Sequence, residues 1–224
     1  MEKLPLFVSL IFGFTTLLTV VIFYLATKRS AITLVVLLLW IIIQSAIALT
    51  GFYKETSTLP PRLLLAVVLP LICIIILFLT EKGRAYIDNF DAKTLTLLHT
   101  VRIPVELVLF WLFINHGIPQ LMTFEGRNYD IISGFTAPLI FYFGYITKQI
   151  PSRIILIWNF ICMFLLINIV ANAVLSAPFP FQQFAFEQPN IAVLYFPFNL
   201  LPACIVPLVF FSHLIVIRQL LREK

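Results

Sequence analysis

Charge is what this sequence of 224 residues has least of: 11% of its residues are Asp, Glu, Lys or Arg, where a soluble domain carries roughly a quarter. With 61% hydrophobic residues and a mean hydropathy of +1.05, a water-soluble globular protein is excluded. Cysteine is also sparse. Cys73, Cys162 and Cys204 each fall singly in a different apolar run, which gives neither a metal-ligand spacing nor a bridge pair, and they read as small buried apolar residues. No Gly-x-Ser-x-Gly elbow, phosphate loop, dinucleotide fingerprint or zinc-protease helix occurs. The Ser133–Gly134 step is too little for a serine hydrolase, and the last apolar run has no Lys to form a retinal Schiff base. Strict alternation of apolar and polar residues is missing, so a membrane β-barrel is excluded as well. No internal repeat survives counting, which leaves an inverted-repeat transporter without support.

What is present is a series of apolar runs, at 4 to 26, 31 to 53, 63 to 80, 95 to 115, 129 to 147, 154 to 175 and 191 to 217. Each is long enough to cross a bilayer, and only helices satisfy their own backbone there. The expectation is therefore all-α: a polytopic bundle of about seven transmembrane helices in a single domain over residues 1–224. The first run exceeds the apolar core of a signal peptide and stays as a helix. The small bundle, with no targeting segment, points to a bacterial inner (cytoplasmic) membrane.

Basic residues sit between the runs and form no continuous stripe, so they read as topology signals and not as a nucleic-acid surface. On alternate sides they divide into Lys28, Arg29, Lys82, Arg84, Lys93, Lys148, Arg153, Arg218, Arg222 and Lys224 against Lys3, Lys54, Arg62 and Arg127. That imbalance predicts the N-terminus outside and the C-terminus inside. In the last run Pro197, Pro202 and Pro207 recur every five residues, so this helix is expected to be kinked, with its true span near 200 to 217. The stretch "AYIDNFDAK" is expected to form a short amphipathic turn, Tyr86 and Phe90 facing lipid headgroups.

One span carries charge. Wound at about 100° per residue, the fourth run places His99, Arg102 and Glu106 on one stripe. At 1.5 Å per residue Arg102 lies about 10 Å and Glu106 about 16 Å from the inner end, near the middle of a core roughly 30 Å thick. A charge at that depth costs about 2.5 kcal/mol or more, so the stripe is expected to face protein or a wet cavity. Arg102 and Glu106, four apart, are expected to pair with each other, as a functional site or as a structural pin. Outside them, Glu125, Arg127, Asn128 and Asp130 crowd the loop before the fifth run, while Asn168, Asn172 and Ser176 line one face of the sixth. Together these outline an outward-opening polar cavity that ends at the Arg102–Glu106 pair.

Three functions follow from that outline. The first is handling of a small solute or ion, with protonation of Glu106 as a possible coupling step. The second is a membrane enzyme on a lipid-linked or apolar substrate, with Glu125, Asp130 and His116 as acid and base candidates. The third is an interaction subunit with no site of its own, its amides serving only as glue between helices. His99 and His213, at one depth on different spans, are candidate haem ligands, Arg102 then meeting a propionate. No other cofactor or metal is indicated.

Overall fold

The apolar runs fold as helices, and several are long and apolar enough to be compatible with a membrane protein, since a helix satisfies its own backbone. The computed structural model describes residues 4–222; Lys3 and Lys224, two of the cations used for orientation, lie outside the described residues. It is 73% helix with no strand among the described residues, so the all-α reading stands. The first helices are α1 (Leu6–Ala26), α2 (Ala31–Leu49), α3 (Leu64–Leu79) and α4 (Glu81–Asp88). After these come α5 (Ala92–Leu98), α6 (Arg102–Ile114), α7 (Ile131–Ile140), α8 (Ser152–Leu175) and α9 (Val206–Arg222). A 3-10 turn, His99–Val101, joins α5 to α6 as one rod; π-helical turns extend α7 through Ile146 and precede α9 from Leu201.

Five of these rods are long and apolar enough to cross a membrane, six if α3 and α4 count as one bent span. The expected seven is reached only by including α3 and the Ile131–Ile146 rod. With 16 residues, α3 extends about 24 Å, short of a hydrocarbon core of about 30 Å.

Proline explains most of the breaks. Pro104 offers no N–H to the Thr100 carbonyl, and its ring crowds that turn, so the helix tightens into the 3-10 segment just before Arg102. Pro207 likewise leaves the Ala203 carbonyl without a helical donor, and the Trp40 indole of α2 donates to it at 2.8 Å. This bond, with Asn199 Nδ2 to the Gln44 carbonyl at 3.1 Å, ties a peripheral helix to the bundle. Otherwise α2 is loosely held, since only Gln44 and Ala48 are buried along it. At the centre stands the Leu201–Arg222 rod, 67% buried over its apolar window against 11% for α2. It packs on α8 and α5, and α1 packs on α5 and α6.

After α3 the chain turns by 95° into α4. Thr80 caps α4 by accepting from Gly83 N–H at 3.2 Å, and Gly83 sits so close that a Cβ there would lie 2.4 Å from the Leu77 carbonyl oxygen. Asp88 at the end of α4 accepts from Arg218 Nε at 2.7 Å and pairs also with Arg222. Those guanidinium hydrogen bonds hold the Asp88 carboxyl below the usual carboxylate range. Two expectations are corrected in this region. Phe90 does not face headgroups: it is buried against Phe23 and Phe211, leaving only Tyr86 of that pair exposed. Cys162 and Cys204 are buried, but Cys73 is exposed on α3.

Candidate functional site

Arg102 opens α6, and Asp130 immediately precedes α7. They are brought together by a missing side chain. Gly134, one turn after Asp130, packs α7 against the first turn of α6; a Cβ there would lie 2.7 Å from Ile103 Cγ1 and 3.1 Å from the Ile103 nitrogen. The close approach lets Arg102 Nη1 donate to Asp130 Oδ1 at 2.7 Å and to the Cys162 carbonyl at 3.2 Å. Gly134→Val therefore wedges the two helices apart, at a cost of about 1–3 kcal/mol. Chemical denaturation in mixed micelles measures that loss, and a variant as stable as the wild type would contradict the close packing.

The second guanidinium arm fixes a histidine. Arg102 Nη2 is 2.9 Å from His213 Nε2, and since a guanidinium only donates, Nε2 is the acceptor. The His213 proton then sits on Nδ1 and is donated to Asn159 Oδ1 at 2.9 Å, while Asn159 Nδ2 donates to the Ile155 carbonyl. His99 stacks on His213, ring centroids 3.9 Å apart and planes within 15°, with Trp158 edge-on at 5.6 Å. Two rings in face contact leave no gap for a macrocycle, and both nitrogens of His213 are engaged. In this geometry His213 has no lone pair left for a haem iron, while His99 Nδ1 and Nε2 are buried with no hydrogen-bond partner among the described residues.

Glu106 lies one turn beyond Arg102 but is not its ion partner; this corrects the expected Arg102–Glu106 pair. Arg102 reaches across to Asp130 at the start of α7, and Arg followed by Glu is the weaker order within one helix. Glu106 Oε1 instead accepts from Asn128 Nδ2 at 2.6 Å. Asn128 also donates to the Met122 carbonyl at 3.1 Å and accepts from the Asp130 backbone N–H at 3.0 Å, so one amide ties the Glu106 carboxylate to the backbone of Asp130. Arg102, Glu106 and Asp130 are 3%, 1% and 5% exposed, and among the described residues Glu106 Oε2 and Arg102 Nε have no hydrogen-bond partner.

These three side chains line one end of a cavity of about 140 Å³. The rest of its wall is apolar apart from Asn190: Leu109 of α6, Ile169 and Val170 of α8, Val206 of α9, and Phe179 and Phe181 from the loop after α8. The polar funnel expected from the sequence does not form around it. Glu125, Arg127 and His116 are exposed, and His116 Nδ1 faces Gln188 Oε1 at 3.1 Å. Asn168 Nδ2 donates to the Arg127 carbonyl at 2.9 Å, and Asn172 Nδ2 to the Asn168 carbonyl at 3.0 Å. Those amides hold backbone in place. Of the expected residues, Arg102, Glu106, Asn128 and Asp130 converge. Asn159 joins them unforeseen, its only signal an amide in the first third of the sixth run, ahead of Asn168 and Asn172.

A family model described as Domain of unknown function (DUF8737) matches residues 59–221. The chain belongs to that family. Its segment takes in α3 to α9 and every residue of the buried site, and leaves α1 and α2 outside. No curated protein and no solved structure matches the chain.

Proposed function

We propose that this chain is a seven-crossing membrane protein, N-terminus outside and C-terminus inside, that binds a small amphipathic cation at Glu106 in exchange for a proton. Counting α3 and the Ile131–Ile146 rod as crossings supports the topology, because a bilayer thins locally around short spans. That count also gathers the basic connections on one side. The short loops and absence of any extramembrane domain among the described residues suit a bacterial cytoplasmic membrane.

One observation carries the reading. Arg102 is already neutralised by Asp130, so Glu106 sits with a free oxygen at the end of an apolar cavity and no cation to pair with. The formal charges of the three side chains sum to −1. An uncompensated charge in hydrocarbon costs several kcal/mol, so the site holds either a proton on Glu106 or a cationic guest. A dry cavity of about 150 Å³ accepts benzene. The guest is therefore a compact ammonium on an apolar body of that size, its N–H donating to Glu106 Oε2, with Phe179 and Phe181 shielding it. Binding balances as Glu106 carboxylic acid plus alkylammonium giving the carboxylate–ammonium pair plus one released proton.

The test is a proton count. Purified protein in weakly buffered nanodiscs is titrated with benzylammonium chloride in the presence of a pH indicator, with binding followed by calorimetry. About one proton released per guest bound is the expected result. Binding without proton release, or no binding, refutes the exchange.

A further inference from the structure

On the face of the last rod opposite the Glu106 cavity lies a second, larger apolar space of about 530 Å³. It is a groove between α2 and α3, floored by Cys204, Leu208 and Phe211. Along α2 it is lined from Ile32 to Ile43, about 16 Å at helical rise, which matches one leaflet of a core about 30 Å thick. Its deep end is wholly apolar, at Ile43, Leu69, Pro70 and Ala203. Its other end is polar: Thr33 and Tyr86 meet there through a hydrogen bond between their hydroxyls, and the Tyr86 hydroxyl donates to Ser30 Oγ at 3.4 Å.

The groove's own lining is uncharged, and basic residues flank the residues of its polar end in the chain. Lys28 and Arg29 form the turn leading into Ser30, and Lys82 is one turn before Tyr86 on α4. All three are exposed and make no ion pair among the described residues. Their neighbours are accounted for: Arg84 donates to the Phe78 and Leu79 carbonyls, Asp88 is held by Arg218 and Arg222, and Asp91 caps α5. Glu81, beside Lys82, makes no ion pair either. A slot one leaflet long, apolar at one end and at the other built from Thr33 and Tyr86, residues flanked in the chain by three cations that make no ion pair among the described residues, has the shape and polarity of a phospholipid with a negative headgroup.

We propose that the α2–α3 groove is a binding site for one anionic phospholipid, its acyl chain lying along Ile32 to Ile43 and its phosphate held by Lys28, Arg29 and Lys82. The site stands apart from the exchange at Glu106 and from the choice of membrane orientation. It gives the loosely packed α2 a partner that the protein itself does not supply.

Trp40 lines the groove and reports on it. In nanodiscs of phosphatidylcholine, brominated-chain phosphatidylglycerol and brominated-chain phosphatidylcholine are compared as quenchers of Trp40 fluorescence, with Trp111→Phe and Trp158→Phe removing the other two indoles. Half-maximal quenching by the anionic lipid is expected at roughly tenfold lower mole fraction. The triple variant Lys28→Gln, Arg29→Gln, Lys82→Gln is expected to erase the difference. Because the background substitutions touch packed tryptophans, the wild type is measured too, by native mass spectrometry after equal supply of both lipids. Retained phosphatidylglycerol should dominate there and be lost in the triple variant. Equal quenching by the two lipids reduces the groove to ordinary annular contact and overturns the proposal. Absence of quenching by either lipid means that protein, such as a second copy of the chain, covers the groove. A preference that survives the triple variant removes the headgroup assignment.

Discussion

Asp130→Asn is expected to lower the unfolding free energy by about 3–5 kcal/mol, the usual cost of leaving one partner of a buried ion pair without the other. The reason is geometric. Arg102 is buried on all sides, its Nη2 is committed to His213, and among the described residues no second carboxylate lies within ion-pair distance of it. Asn retains a carbonyl for the 2.7 Å hydrogen bond but not the charge. The double variant Arg102→Met, Asp130→Leu removes both charges while keeping volume, and is expected to recover most of the loss, since replacing a whole buried pair by apolar groups is often neutral or stabilising. Unfolding in mixed micelles of lipid and denaturing detergent measures both. A loss below about 1 kcal/mol for Asp130→Asn would place the pair in water, where salt bridges contribute little.

The same pair marks where the sequence stops being legible. Helices α1 and α8 were visible from run length alone, because a backbone in hydrocarbon has one way to satisfy itself over some 20 residues. The kinks before α9 follow from Pro202 and Pro207, whose missing donors act locally, whereas the 3-10 break before α6 interrupts a run that reads as one continuous helix. Partners across helices did not follow. Spacing puts Glu106 on one face with Arg102, but the choice of Asp130 depends on Gly134 letting α7 close on Ile103, a contact between residues 31 apart in sequence. Asn168 and Asn172 looked like a cavity wall because their type and spacing were polar; their Nδ2 groups instead answer backbone carbonyls, as isolated amides in membrane bundles do. The cavity itself is assembled from a few apolar side chains each on α3, α6, α8 and α9 and from the loop after α8. Periodicity cannot distinguish those residues from any others that pack inside a bundle.

Glu106→Gln is the substitution that separates the chemistry of the site from its architecture. Gln has the shape of Glu, and its Oε1 accepts the same 2.6 Å hydrogen bond from Asn128, so the fold is expected to hold within about 1 kcal/mol. What changes is the charge that meets a guest. With Arg102 and Asp130 cancelling, an alkylammonium in the variant stands alone in the apolar cavity, at a penalty of about 2.5–3.5 kcal/mol on the insertion scale. That corresponds to a loss of benzylammonium affinity of about 100-fold, and proton release vanishes because the carboxyl that supplied it is gone while Asp130 stays ionised in its pair with Arg102. Toluene, which fills the same space without charge, is expected to bind wild type and variant alike. Calorimetric titration of both guests into both proteins reads the difference directly. An ammonium affinity unchanged by Glu106→Gln would move the cation elsewhere, while toluene affinity lost together with it would mean that the substitution had collapsed the cavity.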